Sequence, residues 1–152
     1  MPTVIKGLED VEGLAGTDLG PSRWLDITQQ RVDTFADATD DHQWIHVDPE
    51  RAKNGPYGGT IAHGYLTLAL VIPLWTELLH IDGVRMAVNY GLNRVRFPAP
   101  VPVGSRVRLL ARVASVERVA GDGVQLTVAF TVERDGGDKP AAVAEAIYRY
   151  YL

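Results

Sequence analysis

The hydrophobic period of this chain changes once, and that change restricts what it can fold into. From about His63 to His80 the apolar residues Leu66, Leu68, Leu70, Val71, Ile72, Leu74, Trp75, Leu78 and Leu79 fall on every side of a helical projection. A helix that is apolar all round is buried all round. Pro73 inside it removes an amide donor and predicts a kink. From Val84 onward the period is two. Val84, Met86, Val88 and Tyr90 alternate with polar or small residues, and the phase slips near Asn93, as at a bulge. Further strands are predicted over Arg106 to Val116, from Val124, and over Ala141 to Tyr151, separated by Pro98 to Gly104, Gly121-Asp122-Gly123 and Asp135 to Asp138. The expected architecture is α+β: a curved antiparallel sheet wrapped around a long buried central helix, with consecutive strands pairing as hairpins. Edge strands need cover, and a homodimer would supply it.

Upstream of that helix the chain is helical or irregular. Ser22 to Asp26 suits a short first strand. Thr28 has the character of an N-cap for a helix from Gln29 to about Ala38, with a helical turn near Glu50 to Lys53. Asp40 to Pro49 and Asn54 to Thr60 are loops. At 152 residues, 46% hydrophobic and 22% charged, one domain over residues 1–152 is expected. A net charge of −4 argues against non-specific binding to nucleic acid or an anionic membrane. The absence of cysteine excludes disulfides, thiolate metal sites and cysteine nucleophiles. Met1 to Gly20 shows no basic stretch followed by an apolar run, so a cytoplasmic protein is expected. The apolar stretch at Ile61 to Leu79 is interrupted by His63, Gly64, Thr67, Pro73 and Glu77, which argues against a membrane span.

Two of the four histidines lie in the loop that carries Asp40, Asp41 and Asp48. Asp41 and His46 are close enough in an irregular turn to converge on one water. A carboxylate and an imidazole can remove a proton from that water and return one elsewhere. Asp41 would need partial desolvation to serve as a base, with Asp40 a possible source of like-charge repulsion. Gly64, at the expected start of the central helix, lets a substrate oxygen approach its amide, where developing negative charge is stabilised. His42 is expected to face solvent, His63 to cap or pack at a helix start, and His80 to close a helix C-terminus. The loop lacks the spacing of a helical metal motif, so no metal is expected.

The segment FADATDDHQWIHVDPERA (Phe35 to Ala52), followed by GGTIAHGYLTLALV (Gly58 to Val71), resembles the hydratase motif of the MaoC-like, hot-dog-fold (R)-specific enoyl-CoA hydratases. NYGLNRVRFPAPVPVGSRV (Asn89 to Val107) looks like the family's next strand pair. The loop motif has the form Asp, any residue, Asn, Pro, aliphatic, His, with Asp41 and His46 at its ends. Gln43 stands for the usual Asn, Trp44 for the usual Pro, Asp40 for a small residue, and Ile72 where some members carry Ser. The resemblance implies a hot-dog fold, Asp41 and His46 as the acid–base pair, and the Gly64 amide facing a thioester oxygen. It also implies trans-2-enoyl-CoA as substrate and (R)-3-hydroxyacyl-CoA as product, no cofactor beyond the CoA thioester itself, and a homodimer. Gln43, Trp44, His63 and Tyr65 are candidates to support or line the pocket. Dehydration of (R)-3-hydroxyacyl groups on acyl carrier protein would use the same residues. A thioesterase is disfavoured because the only acid on the central helix, Glu77, lies near its far end. A non-catalytic acyl-CoA-binding module is disfavoured by retention of both Asp41 and His46.

Overall fold

The computed structural model describes residues 2–152. Its largest element is an antiparallel sheet built from β5 (Met86–Arg96), β6 (Arg106–Val119), β7 (Gly123–Arg134) and β8 (Ala142–Tyr151). Short strands β2 (Asp18–Leu19) and β3 (Leu25–Asp26) both pair with β6, giving the order β2-β6-β7-β8-β5. The strands form because side chains alternate: Val107, Leu109, Ala111 and Val113 of β6 and Val124, Leu126, Val128, Phe130 and Val132 of β7 are buried on one face. That face packs on α5 (Gly64–Ala69) and α6 (Val71–Leu78), with Leu66, Leu70, Leu74, Trp75 and Leu78 in the same core. The helix inside a curved sheet is the expected architecture.

The predicted kink occurs as a break at Leu70 between α5 and α6. Pro73 has no amide to donate to the carbonyl of Ala69, so the ladder is interrupted there. The helix ends at Leu78, and His80 lies in β4 (Leu79–Asp82), not at a helix terminus. β4 pairs in parallel with β1 (Thr3–Lys6). β1 and the short α1 (Leu8–Glu12) lack the strict periodicity that would have announced them. α2 (Gln29–Thr39) starts at Thr28, whose hydroxyl accepts from the Arg31 amide at 3.1 Å.

Two expectations fail. Consecutive strands do not all pair: β5 bonds to β8 and not to β6, because residues 97–105 carry the chain across the sheet instead of turning back. Nor is the central helix buried on every side. Tyr65, Ala69, Ile72 and Thr76 form one exposed stripe, with Tyr65 73% exposed. Met86, Tyr90 and Leu92 on β5 are exposed too. A single sheet curls around only part of a helix, so this face is left uncovered by the chain itself. The β5 phase slip is real, with register shifts at Asn89/Gly91 and Asn93/Val95. No helix among the described residues is long and apolar enough to cross a membrane.

Leu109 is fully buried in the middle of β6. Leu109→Ala is expected to cost about 2–5 kcal/mol, the range for a leucine cavity in a packed core. Urea unfolding of parent and variant checks this; an unchanged midpoint would place Leu109 outside the core.

Candidate functional site

The site is assembled by three short segments that converge beside the start of α5. The first is the end of α2. Asp40 sits in the left-handed region at φ 59 and terminates the helix. Glycine is the usual residue there, and aspartate is among the few others that tolerate it. Asp40 thus serves the turn, and Asp41 is the aspartate whose carboxylate comes near the histidines. The second segment is α3 (Trp44–Val47), a single turn that begins at Gln43. The His46 amide donates to the Gln43 carbonyl at 3.0 Å, and the His46 ring turns inward, 7% exposed. α4 (Pro49–Ala52) follows, capped by the Asp48 side chain on the Arg51 amide at 3.1 Å. The third segment is Ile61 to Gly64, where the Ala62 amide donates to the Val101 carbonyl at 2.8 Å.

His46 Nδ1 lies 2.7 Å from the carbonyl oxygen of Ile61. A carbonyl only accepts, so Nδ1 carries the hydrogen and Nε2 keeps its lone pair. Burial pushes the His46 pKa below its ordinary value, and nearby His63 adds to this. The Ile61 carbonyl and the Asp41 charge oppose it. His63 Nε2 lies 3.0 Å from the Asp41 carbonyl oxygen, and its ring stacks on His46 with centroids 3.9 Å apart and planes at 23°. One ligand atom each from Asp41, His46 and His63 fall within 4.8 Å of one another. A metal ion lies in the plane of an imidazole ligand, so two stacked rings would have to turn out of their stack to share one.

A cavity of about 380 Å³ adjoins this cluster, lined among others by His46, Tyr57, Gly64, Thr67, Phe97 and Val101. Gly64 is the first residue of α5, where amides have no partner within the helix. The Phe97 ring lies against it: an added Cβ would meet Phe97 Cδ2 at 2.9 Å. The buried base therefore faces a cavity that also contains a helix-start glycine. A neutral imidazole with a free Nε2, a carboxylate and an amide donor can together exchange protons with a water and stabilise an oxyanion. A second cavity, about 220 Å³, lies between Leu68, Ile72, Leu92, Phe130, Ala146 and Tyr148 and shares none of those side chains.

Four predicted residues come together: Asp41, His46, Gly64 and His63. His63 does more than cap or pack, since it contacts both Asp41 and His46. Three do not join them. Gln43 is exposed and its side chain caps nothing. Trp44 packs against Gly55 and beneath the Arg51 guanidinium, 4.4 Å from its ring, instead of narrowing the cavity. Tyr65 points to the outside, because it lies on the uncovered stripe of the helix. Asp41 is exposed, not desolvated, because its loop stands at the surface. His42 faces solvent and bonds Asp37 at 2.9 Å. Glu77 is engaged by the Arg23 side chain at 2.8 Å, away from the cavity.

Several groups escaped the sequence reading. The Gln29 amide nitrogen donates to the His46 carbonyl at 2.8 Å and to Asp33 at 2.9 Å, while its oxygen accepts from the Thr60 hydroxyl at 2.6 Å. Nothing in the spacing of residues 29, 46 and 60 announces that contact. Thr67 was detectable: three residues after Gly64 on a helix, it shares that face, and it is 3% exposed against the cavity.

Residues 10–134 match the family model described as a MaoC like domain. The chain is 56% identical over 145 residues to a Mycobacterium tuberculosis protein named 3-hydroxyacyl-thioester dehydratase Z, covering 95% of this chain and 96% of that one. It superposes on the monoamine oxidase regulatory protein from Archaeoglobus fulgius with a TM-score of 0.78 at 23% identity, covering 100% and 99% of the two chains. On the (R)-hydratase from A. caviae involved in PHA biosynthesis the TM-score is 0.70 at 25% identity, covering 88% and 94%. The hot-dog fold implied by the loop and helix motifs is therefore shared with solved structures, and the chain belongs to the MaoC-like hydratase and dehydratase family.

Proposed function

We propose that this protein is a hydro-lyase that interconverts (R)-3-hydroxyacyl and trans-2-enoyl thioesters, with dehydration of the hydroxyacyl thioester as its working direction. The observation that carries the reading is the convergence of the Asp41 carboxylate and the His46 ring, with ligand atoms within 4.8 Å of each other, beside a cavity that His46 and Gly64 both line. The relative named for a 3-hydroxyacyl-thioester dehydratase supports dehydration over the CoA-bound hydratase first expected. In the hydration sense, neutral His46, paired with Asp41, takes a proton from water as its oxygen bonds to C3. The π electrons move onto the thioester oxygen, where the Gly64 amide donates. The enolate then collapses, and C2 receives the proton from the pair. One water supplies both the hydroxyl and the hydrogen, and dehydration is the reverse. This balance requires neither metal nor redox cofactor.

The test is absorbance of the conjugated enoyl thioester when purified protein meets (R)-3-hydroxybutyryl-CoA, crotonyl-CoA and the same acyl groups on acyl carrier protein. Interconversion confined to the (R)-alcohol supports the reading. A higher kcat/KM for the carrier-protein thioester assigns the substrate to that carrier, and a higher value for CoA restores the hydratase expectation. Release of free thiol without enoyl turnover would replace the reading with a thioesterase. Acyl-CoA binding without either reaction would leave a binding module.

We also propose a homodimer in which the free edge of β5 pairs with the same strand of a second copy. Tyr65, Ile72, Leu92 and Phe97 are exposed on that side, and a two-fold interface uses the same patch twice. Leu92→Asp is expected to convert a dimer into a monomer in sedimentation equilibrium. A parent that sediments as a monomer removes the proposal.

A further inference from the structure

His63 touches both members of the proposed pair and belongs to neither. It is the N-cap residue of α5, 2% exposed, with its ring turned toward the Asp41 loop and His46. Its Nε2 reaches the Asp41 carbonyl oxygen at 3.0 Å. Because that partner is an acceptor only, Nε2 carries the hydrogen and Nδ1 is left with a lone pair. Nδ1 is buried without a hydrogen-bond partner. One face of the ring stacks on His46 at 3.9 Å, and Phe35 of α2 stands against it with centroids 4.8 Å apart. A histidine with one wasted nitrogen is a poor choice for packing alone, since a phenylalanine would fill the space without burying an unpaired polar atom. Its contacts to the Asp41 carbonyl and the His46 ring tie those two residues to one side chain.

We infer that His63 is the positioning residue of the acid–base pair: its Nε2–H anchors the Asp41 main chain while its ring holds and shields His46. This rests on the assignment of Asp41 and His46 made above. The anchor matters because Asp41 is exposed on a loop and, among the described residues, no other side chain bonds its main chain. The stack matters because it covers a face of His46 that water would otherwise reach. The titratable groups facing His46 are Asp41 from the loop, His63 itself, and Tyr57, which lines the same cavity. The Ile61 carbonyl and the Gln29 amide, from the α5 approach and from α2, are uncharged. The buried imidazole has its pKa below the ordinary value chiefly through burial, so opening one face to water should raise it.

Two variants separate the contacts. His63→Phe keeps an aromatic face on His46 and loses the donor to Asp41. His63→Gln keeps a donor and loses the ring. For His63→Phe, kcat is expected to fall at least about tenfold, with KM within roughly threefold, because a displaced Asp41 harms the transition state more than ground-state binding. The His46 titration, followed by nitrogen NMR, should rise only by the lost influence of His63, less than when the covering ring is removed as well. For His63→Gln, the His46 midpoint should move up toward the ordinary value, and the acid limb of kcat/KM should follow it. In the parent, NMR should show the Nε2–H tautomer of His63, a result that needs no variant to fold. Parental kcat and an unmoved His46 titration in both variants overturn the inference, as does the Nδ1–H tautomer. Should the parent turn over no acyl thioester, the assignment of function fails, whereas the NMR titration and tautomer still decide the role of His63.

Discussion

Asp41→Asn is expected to lower kcat for thioester hydration and dehydration by roughly 10²–10⁴-fold, the range for loss of a positioned acid–base group. Asparagine has nearly the same shape and hydrogen-bonding reach, so folding and KM should change little, and the loss isolates the carboxylate's proton chemistry. His46→Ala should lose at least as much, and additionally leave the Ile61 carbonyl without its donor at 2.7 Å. Asp40→Asn is the internal control: Asp40 occupies the left-handed position that ends α2, which asparagine also tolerates, so activity should stay near parental. The pH profile adds a sign. Hydration needs neutral His46, and burial holds its pKa below the ordinary 6.5. The neutral form therefore persists below pH 6.5, and the acid limb of kcat/KM should fall at lower pH than that of an unperturbed histidine. An Asp41→Asn enzyme with full activity, or an Asp40→Asn enzyme without it, would assign the wrong aspartate.

Gly64→Ala is expected to reduce kcat by roughly a hundredfold, the scale of one lost oxyanion donor, while thermal stability changes modestly. The physical cause is space. A Cβ on Gly64 would lie 2.9 Å from Phe97 Cδ2, closer than real Cβ atoms approach, and 3.0 Å from Cε2, which is tight. Either Phe97 swings away or the start of α5 shifts, and a small shift of the amide moves it off the developing oxyanion. Phe97 is a separate side chain that can itself be shortened, which supplies a second readout. In the Gly64→Ala/Phe97→Ala double variant, activity should recover in part if the collision displaces the helix start. If the methyl instead occupies the substrate's own space, removing the Phe97 ring brings nothing back. Full activity in Gly64→Ala would remove the close approach of substrate to this amide from the mechanism.

Most of the sheet and the helical core could be read from local pattern. Alternation along Val124 to Val132 and the Pro73 kink are properties of neighbouring residues, and they appear in the structure as expected. The loop pair was accessible for a similar reason. Asp41 and His46 are near in sequence, and the Gly64 segment carries a recognisable motif. His63 was visible as a residue but not as a partner, because its contacts run to Asp41 and His46, 22 and 17 positions away. Gln29, which reaches His46 and Thr60, had no local signal at all. Trp44 and Tyr65 were expected at the pocket from proximity along the chain. The direction of a side chain depends on the turn beneath it, and both point elsewhere.

By itself the sequence determined the class of fold and the position of the central helix and strands, because these depend on short-range periodicity, and it offered Asp41 and His46 as candidates through their spacing and a family-like motif. Tertiary structure decided what long-range geometry controls. It ordered the strands with β5 beside β8, left one helix face uncovered, kept Asp41 in solvent, and stacked His63 on His46. Periodicity records that a surface avoids water or that a side chain is polar. Which surface or group it meets is set only when distant segments pack.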